Sequence, residues 1–318
     1  MIPTLAPPRP ARMPQAFEDA LSRLATTKVP PGEPRRGPFT FRRILLAADG
    51  SPSAEYGVSW AAEISKAFGS TIRIVAVVQP ETAYQSLGEG DAIHIGREAF
   101  LQDNLLAHDA VAAAQQQLLH MHVDGESTVK YGAATLEIER EAKAWGADLI
   151  VLGSHSRSAA GRLLLGSVAD GVKNHAAASV LIARSEAPVA RVLVGVDGSE
   201  ASRRAAGIAL RLARRWKAAA HLEYVYEAPA FGPIEGDLTK MLRRGDPSTE
   251  AFAPDVTYHV AFGRAADSLV QEAKSRDCGL IVVGSRGLGE FRRLVLGSVS
   301  NRVAHEAATS VLVVKRPD

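Results

Sequence analysis

Four short runs of this sequence recur, in the same order, farther along the chain. Arg43-Ile-Leu-Leu-Ala-Ala-Asp-Gly-Ser51 returns as Arg191-Val-Leu-Val-Gly-Val-Asp-Gly-Ser199. Leu149-Ile-Val-Leu-Gly-Ser154 returns as Leu280-Ile-Val-Val-Gly-Ser285, and Leu165-Gly-Ser-Val168 as Leu296-Gly-Ser-Val299. Ser179-Val-Leu-Ile182 returns as Ser310-Val-Leu-Val313. The first pair is offset by 148 residues and the other three by 131, so the second copy is 17 residues shorter. The missing length belongs to the segment around 80–125, whose counterpart is 229–255. A repeat of this size is one folding unit used twice.

Within each copy strand-like and helix-like runs alternate. Ile44–Ala48 is a fully apolar run stopped by Asp-Gly-Ser, the pattern of a strand buried on both faces. Helical spacing follows over 53–68, then a strand at Thr71–Val78, a helix near 98–119, a strand at 126–130 and a helix at 134–145. Leu149–Leu152 reads as the fourth strand, Ser167–Ala177 as a helix and Val180–Ala183 as the fifth strand. The second copy repeats this with strands near 191–196, 220–226, 256–260, 280–283 and 311–314. The predicted fold is α/β: two tandem Rossmann-like domains, each a five-stranded parallel sheet with helices on both faces. Their expected bounds are 40–186 and 189–318, joined by a short linker at about 185–190 that brings the domains together. A ligand site in such a sheet lies at the carboxyl ends of the strands.

Residues 1–39 differ. They hold nine of the seventeen prolines and read as a flexible tail. Phe17, Ala20, Leu21 and Leu24 keep helical spacing within it, either as a short helix resting on the body or as a docking or targeting element. The tail supplies +3 of a formal net charge of +2, leaving a nearly neutral body without the clustered basic surface that nucleic acid demands. Only one cysteine, Cys278, is present, and the sequence has neither a membrane-length apolar run nor a secretory apolar segment. Together these features predict a cytoplasmic protein.

The unusual residues stand after strands one and four. In the second copy they are Asp197-Gly198-Ser199, then Gly284-Ser-Arg-Gly287, nine residues, and Gly297-Ser298. A glycine loop lets backbone approach a ligand, and Gly297-Ser298 opens a helix whose free N–H groups and dipole suit an anion. The pattern Gly-x2-Gly-x9-Gly-Ser behind an early Asp-Gly-Ser resembles the ATP-binding class of universal stress proteins, twice over, across about 40–318. That resemblance implies an adenine-nucleotide α-hydrolase-like fold and ATP, with or without magnesium, as ligand. It places Asp197 by the nucleoside, Val225 against adenine, and Gly284, Ser285, Arg286, Gly287, Gly297, Ser298 and Val299 around ribose and phosphates.

The first copy keeps Asp49, Val77, Gly153, Gly166 and Ser167. It has Ser156 where the second glycine of the loop belongs and His155 where the second copy has Arg286. A non-glycine residue held at positive φ costs about 1 kcal/mol or more. The first copy is therefore either a weaker nucleotide site or a degenerate one kept for packing and partner contacts.

Structural readings stand beside these. Asp197 can cap a helix, Gly297-Ser298 can simply begin one, and Arg286 can be a solvated loop charge. Cys278 reads as structural, His120-x-His122 as too few ligands for a metal, and the Arg211–Lys217 basic cluster as a solvated helix face. No Walker loop, dinucleotide fingerprint or nucleophile elbow is present, and no general base stands by the phosphate loops, Glu290 included. The expected function is nucleotide-dependent regulation in a stress response. The alternatives are a module that binds no nucleotide and a slow ATPase. The expected partners are an adenine nucleotide and an unnamed protein, without nucleic acid or membrane. The resemblance implies pairing through the edge strands Ser179–Ala183 and Ser310–Val314, either in a homodimer or internally between the two copies, and an apolar edge left unpaired would invite association in any case.

Overall fold

The computed structural model describes residues 39–79, 92–155, 165–226, 255–285 and 297–315. The tail with its helical spacing, Ser156, Arg286, Gly287 and Glu290 lie outside the described residues. The first half runs β1 (Arg43–Ala47), α1 (Pro52–Phe68), β2 (Thr71–Val78), α2 (Ala92–His120), β3 (Gly125–Tyr131), α3 (Ala134–Trp145), β4 (Leu149–Gly153), α4 (Ser167–His175) and β5 (Ser179–Ala183). The second half runs β6 (Arg191–Gly195), α5 (Glu200–Trp216), β7 (Ala219–Tyr226), β8 (Val256–Phe262), α6 (Ala265–Ser275), β9 (Leu280–Gly284), α7 (Ser298–Glu306) and β10 (Ser310–Val314). The largest departure from the sequence reading is α2, which begins at Ala92 instead of near 98.

Local chemistry explains the starts and stops. Ser51 caps α1 by accepting the Ala54 N–H at 3.1 Å, and Pro52 occupies a first-turn position where its missing N–H costs nothing. Gly69 ends α1 in the left-handed conformation at φ +69°. Ser199 caps α5 in the same way through the Ser202 N–H at 3.1 Å.

The strands run in the order β3-β2-β1-β4-β5-β10-β9-β6-β7-β8. Every neighbouring pair is parallel except β5 and β10, which meet antiparallel with Leu312 opposite Leu181. Each half is thus the expected five-stranded parallel sheet, but the two are one continuous ten-stranded sheet and not two separate ones. The internal form of edge pairing is the one realised. The connections place α1, α2 and α5 on one face, over Ile44, Leu46, Leu149, Val151, Leu280 and Val282. Helices α3, α4, α6 and α7 cover the other face, over Leu45, Ile150, Leu193, Ile281 and Val311. Both apolar layers run through both halves without a break.

The seam between halves carries near-symmetric bonds. The Arg184 N–H donates to Ser310 Oγ and the Lys315 N–H to Ser179 Oγ, each at 3.0 Å. Arg184 Nη2 donates to the Ala304 carbonyl at 2.6 Å, while Lys315 Nζ donates to the Lys173 carbonyl at 3.1 Å and also to that of Ala176. Each cation closes the carboxyl end of the other half's last described helix, where carbonyls lack helical partners. Trp60 of α1 and Trp216 of α5 meet edge to face at 5.6 Å, and Trp60 Nε1 donates to the Ser185 carbonyl at 2.7 Å.

Candidate functional site

The first loop of the second half leaves β6 at Gly195 and turns through Asp197-Gly198-Ser199. Gly198 sits at φ +83°, where a side chain is strained. Asp197 Oδ1 accepts the Ser199 N–H at 2.9 Å. The carboxylate therefore shapes the turn before α5, and the cap itself is Ser199, not Asp197. The first half repeats this, with Asp49 Oδ1 accepting the Ser51 N–H at 2.9 Å and Gly50 at φ +72°.

The second loop leaves β9, the strand next to β6. Gly284 ends it at a point of closest approach: a Cβ there would lie 2.8 Å from the Ala201 carbonyl carbon and from the Ser202 nitrogen. The first turn of α5 rests directly on this strand end, so glycine is required by packing whatever else the loop does. Gly153 meets the same constraint against the Ala54 nitrogen at 2.8 Å. Ser285 is buried, and its N–H donates to the Val314 carbonyl at 2.8 Å. Its carbonyl accepts the Gly297 N–H at 2.8 Å and the Ser300 hydroxyl at 3.2 Å. These bonds fix the start of α7 against the end of β9.

Helix α7 begins at Gly297, and no side chain caps it among the described residues. Ser298 is exposed at its first turn, while Val299 packs back on the core. The amino ends of α5 and α7 thus converge on one carboxyl edge, that of β6 and β9. Two aligned helix starts favour negative charge there. Asp197, Gly284, Ser285, Gly297, Ser298 and Val299 are brought to this edge. Val225 stands one strand farther out, near the end of β7, opposite Ala261 of β8.

The first half is built alike, with Gly166 donating its N–H to the Ser154 carbonyl at 2.8 Å and Ser167 beginning α4. Val77 stands near the end of β2, opposite Lys130. One contact there has no counterpart in sequence reasoning. Ser53 Oγ donates to the His155 carbonyl at 2.6 Å, and Ser51 Oγ reaches the same carbonyl at 3.2 Å. His155, just past β4, is thus latched to α1. The second half has Ala201 in place of Ser53, so it lacks that hydroxyl.

Cys278 is buried, and burial pushes its thiol up to about 11, which fits a structural role. No group of three potential metal ligands occurs among the described residues. The basic cluster is not wholly solvated: the Arg211 guanidinium lies 5.2 Å over the Phe68 ring of α1, and burial lowers its pKa. Among the described residues no helix is long and apolar enough to cross a membrane.

Comparison with known proteins agrees with this architecture. The universal stress protein family model matches residues 40–184 and again 188–315. A universal stress protein of Mycobacterium tuberculosis strain H37Rv is 30% identical over 302 residues, covering 86% of this chain and 97% of that one. One from Mycolicibacterium smegmatis is 28% identical over 293 residues, covering 86% and 96%. Among solved structures, a universal stress protein from Archaeoglobus fulgidus superposes with a TM-score of 0.64 at 23% identity, over 86% of this chain and 98% of that one. A Pseudomonas aeruginosa structure described as a putative universal stress protein gives 0.61 at 18% identity, over 86% and 93%.

Proposed function

The chain belongs to the universal stress protein family, and on that premise we propose that its second half is an ATP site serving a regulatory role. The supporting observation is the convergence of α5 and α7 on the carboxyl edge of β6 and β9, with α7 uncapped by any described side chain. In this reading the first amides of α7 and the Ser298 hydroxyl hold phosphate, and magnesium, when present, rides on the phosphates. Asp197 faces the nucleoside, and Val225 lines the base. Gly284 and Ser285 carry the loop, whose continuation through Arg286 and Gly287 completes the phosphate contacts. Val299 anchors the helix start. ATP occupancy then sets how the protein meets a protein partner. The sequence offers no convincing general base beside the phosphate loops, so binding without efficient turnover is the expected chemistry.

Denaturing the purified protein and measuring released nucleotide per chain tests this. About one ATP per chain and a ligand-dependent rise in melting temperature are expected. A chain without bound nucleotide, whose melting does not respond to added ATP, refutes it. Gly297→Val together with Ser298→Leu should abolish the response.

The Ser53 latch favours a second reading for the first half. With His155, just past β4, pinned to α1, that half acts chiefly as the packing partner of the second. Two nucleotides per chain would refute it and assign Asp49, Val77, Gly153, Gly166 and Ser167 to a working site.

A further inference from the structure

The two halves fill one equivalent place with different chemistry. Under the first half's outer corner, Arg73 of β2 pairs with Glu126 of β3 at 2.6 Å and with Glu141 of α3 at 2.9 Å. Its guanidinium also lies 4.8 Å over the Trp145 ring. Strand register places His221 where Arg73 stands, Thr257 where Glu126 stands and His259 where Thr128 stands. On the helix, Glu272 replaces Glu141 and Arg276 replaces Trp145. The second half keeps one ion pair at this place, Arg276 with Glu272, and fills the rest of it with a histidine chain.

Hydrogen-bond chemistry gives that chain a direction. Arg276 Nη2 lies 3.3 Å from His259 Nδ1, and a guanidinium only donates, so Nδ1 accepts and carries no proton. The neutral ring then holds its proton on Nε2, which donates to Thr257 Oγ1 at 3.2 Å. The threonine hydroxyl in turn donates to His221 Nδ1 at 2.6 Å. His221 is consequently protonated on Nε2, which is buried and unpartnered among the described residues. One arginine sets both tautomers, and the whole chain needs both rings neutral.

We propose that this chain is an acid-sensitive clasp: protonation of His259 puts two donors face to face at Arg276, freeing α6 from β8 and loosening the β7 wall of the nucleotide site. The wall is involved because His221, Glu223 and Val225 share one face of β7. The consequence for nucleotide rests on the ATP reading above; the loosening of β8 does not.

The charged groups facing the pair are Glu272 of α6, Arg276 just past its end, Asp255 before β8, and Glu223 of β7. Burial, then Arg276, lowers the pKa of both histidines, with each carboxylate of Glu272 and Asp255 opposing where it reaches. A histidine lowered in the fold leaves stability unaffected well above its ordinary pKa and removes it as pH falls below that value. Glu223 acts oppositely. Burial raises its pKa, so acid relieves the penalty on its charged form. Whole-protein melting mixes the two signs, and a local measurement is required.

Hydrogen exchange of the full chain without nucleotide, at about pH 7.5 and about pH 5.5, supplies it. After correction for intrinsic exchange rates, protection of β8 relative to β3 should fall roughly fivefold in acid, the scale of losing one net hydrogen bond at a part-exposed position. His259→Gln, neutral at both pH values, should remove most of that fall. An unchanged β8-to-β3 ratio in the wild type overturns the clasp, and so does a fall that His259→Gln leaves intact. ATP affinity is then compared at the two pH values in both proteins. A loss in acid confined to the wild type supports the link to the site. Equal affinity at both pH values, with β8 loosened, overturns that link. ATP failing to bind at any pH refutes the ATP reading and with it the link, while the clasp stands on the exchange data.

Discussion

Gly198 and Gly284 should resist substitution for opposite physical reasons, and alanine against asparagine separates them. Gly198 sits at φ +83° with open space around its missing side chain. Its cost is torsional, about 1–2 kcal/mol for alanine. Asparagine tolerates the left-handed region, so Gly198→Asn should recover part of that. Gly284 has no such torsion, but a Cβ would press on the Ala201 and Ser202 backbone at 2.8 Å. Backbone cannot swing aside as a side chain does, so Gly284→Ala should cost about 1–3 kcal/mol by overpacking. Gly284→Asn, being larger, should cost more than alanine and not less. The assay is urea unfolding of nucleotide-free protein, comparing midpoints at constant slope. Crossed ranking is the expected result: asparagine milder than alanine at 198 and harsher at 284. If Gly284→Ala leaves the midpoint unchanged, α5 does not rest on the end of β9 as described, and Gly284 matters only to ligand. If asparagine is as costly as alanine at 198, the torsional account fails.

Three further outcomes are expected. Lys173 is fully buried and held by Asp170 at 2.9 Å and by Asn301 across the seam. Asp170→Asn, which leaves the ammonium with Asn301 but without its counter-charge, should destabilise by about 1–3 kcal/mol, whereas Lys173→Met should be close to neutral or stabilising; equal losses in chemical denaturation would refute this. Burial works against ionised Glu141, yet bonds from Lys130 and Arg73 prevail and hold its pKa below the ordinary 4.5. Its contribution is therefore present above about pH 4.5 and lost as pH falls through the lowered value, and Glu141→Gln should flatten that part of the acid limb of a stability-versus-pH curve. Cys278, with its thiol raised to about 11, should react with a thiol reagent at pH 8 only after denaturant is added; rapid labelling of the native protein would contradict its burial.

Strand positions were legible in the sequence because parallel strands covered on both faces are short continuous apolar runs, and here each run occurs twice. Leu149–Gly153 and Leu280–Gly284 are such a pair. Thr71–Val78 was legible to the residue. The start of α2 was not, since a weakly patterned helix offers no edge where the apolar period begins. At the site, the glycines and serines were legible as a spaced motif, but the packing reason for Gly153 and Gly284 was not. It depends on where α1 and α5 come to rest. The Ser53 latch was hidden too, because Ser53 and His155 are far apart in the chain.

By itself the sequence determined two α/β units, the alternation of their strands and helices and the edge on which their loops meet, because these follow from local periodicity and from chain connectivity. Only the tertiary structure decided that β5 and β10 would join the units into one sheet. Edge strands present backbone donors and acceptors to any partner, so nothing in Ser179–Ala183 or Ser310–Val314 says whether that partner is another chain or its own other half. The histidine chain likewise exists only in the fold. His221, Thr257, His259 and Arg276 come from two strands and a helix, and a one-residue slip between β7 and β8 would turn half of them to the opposite face.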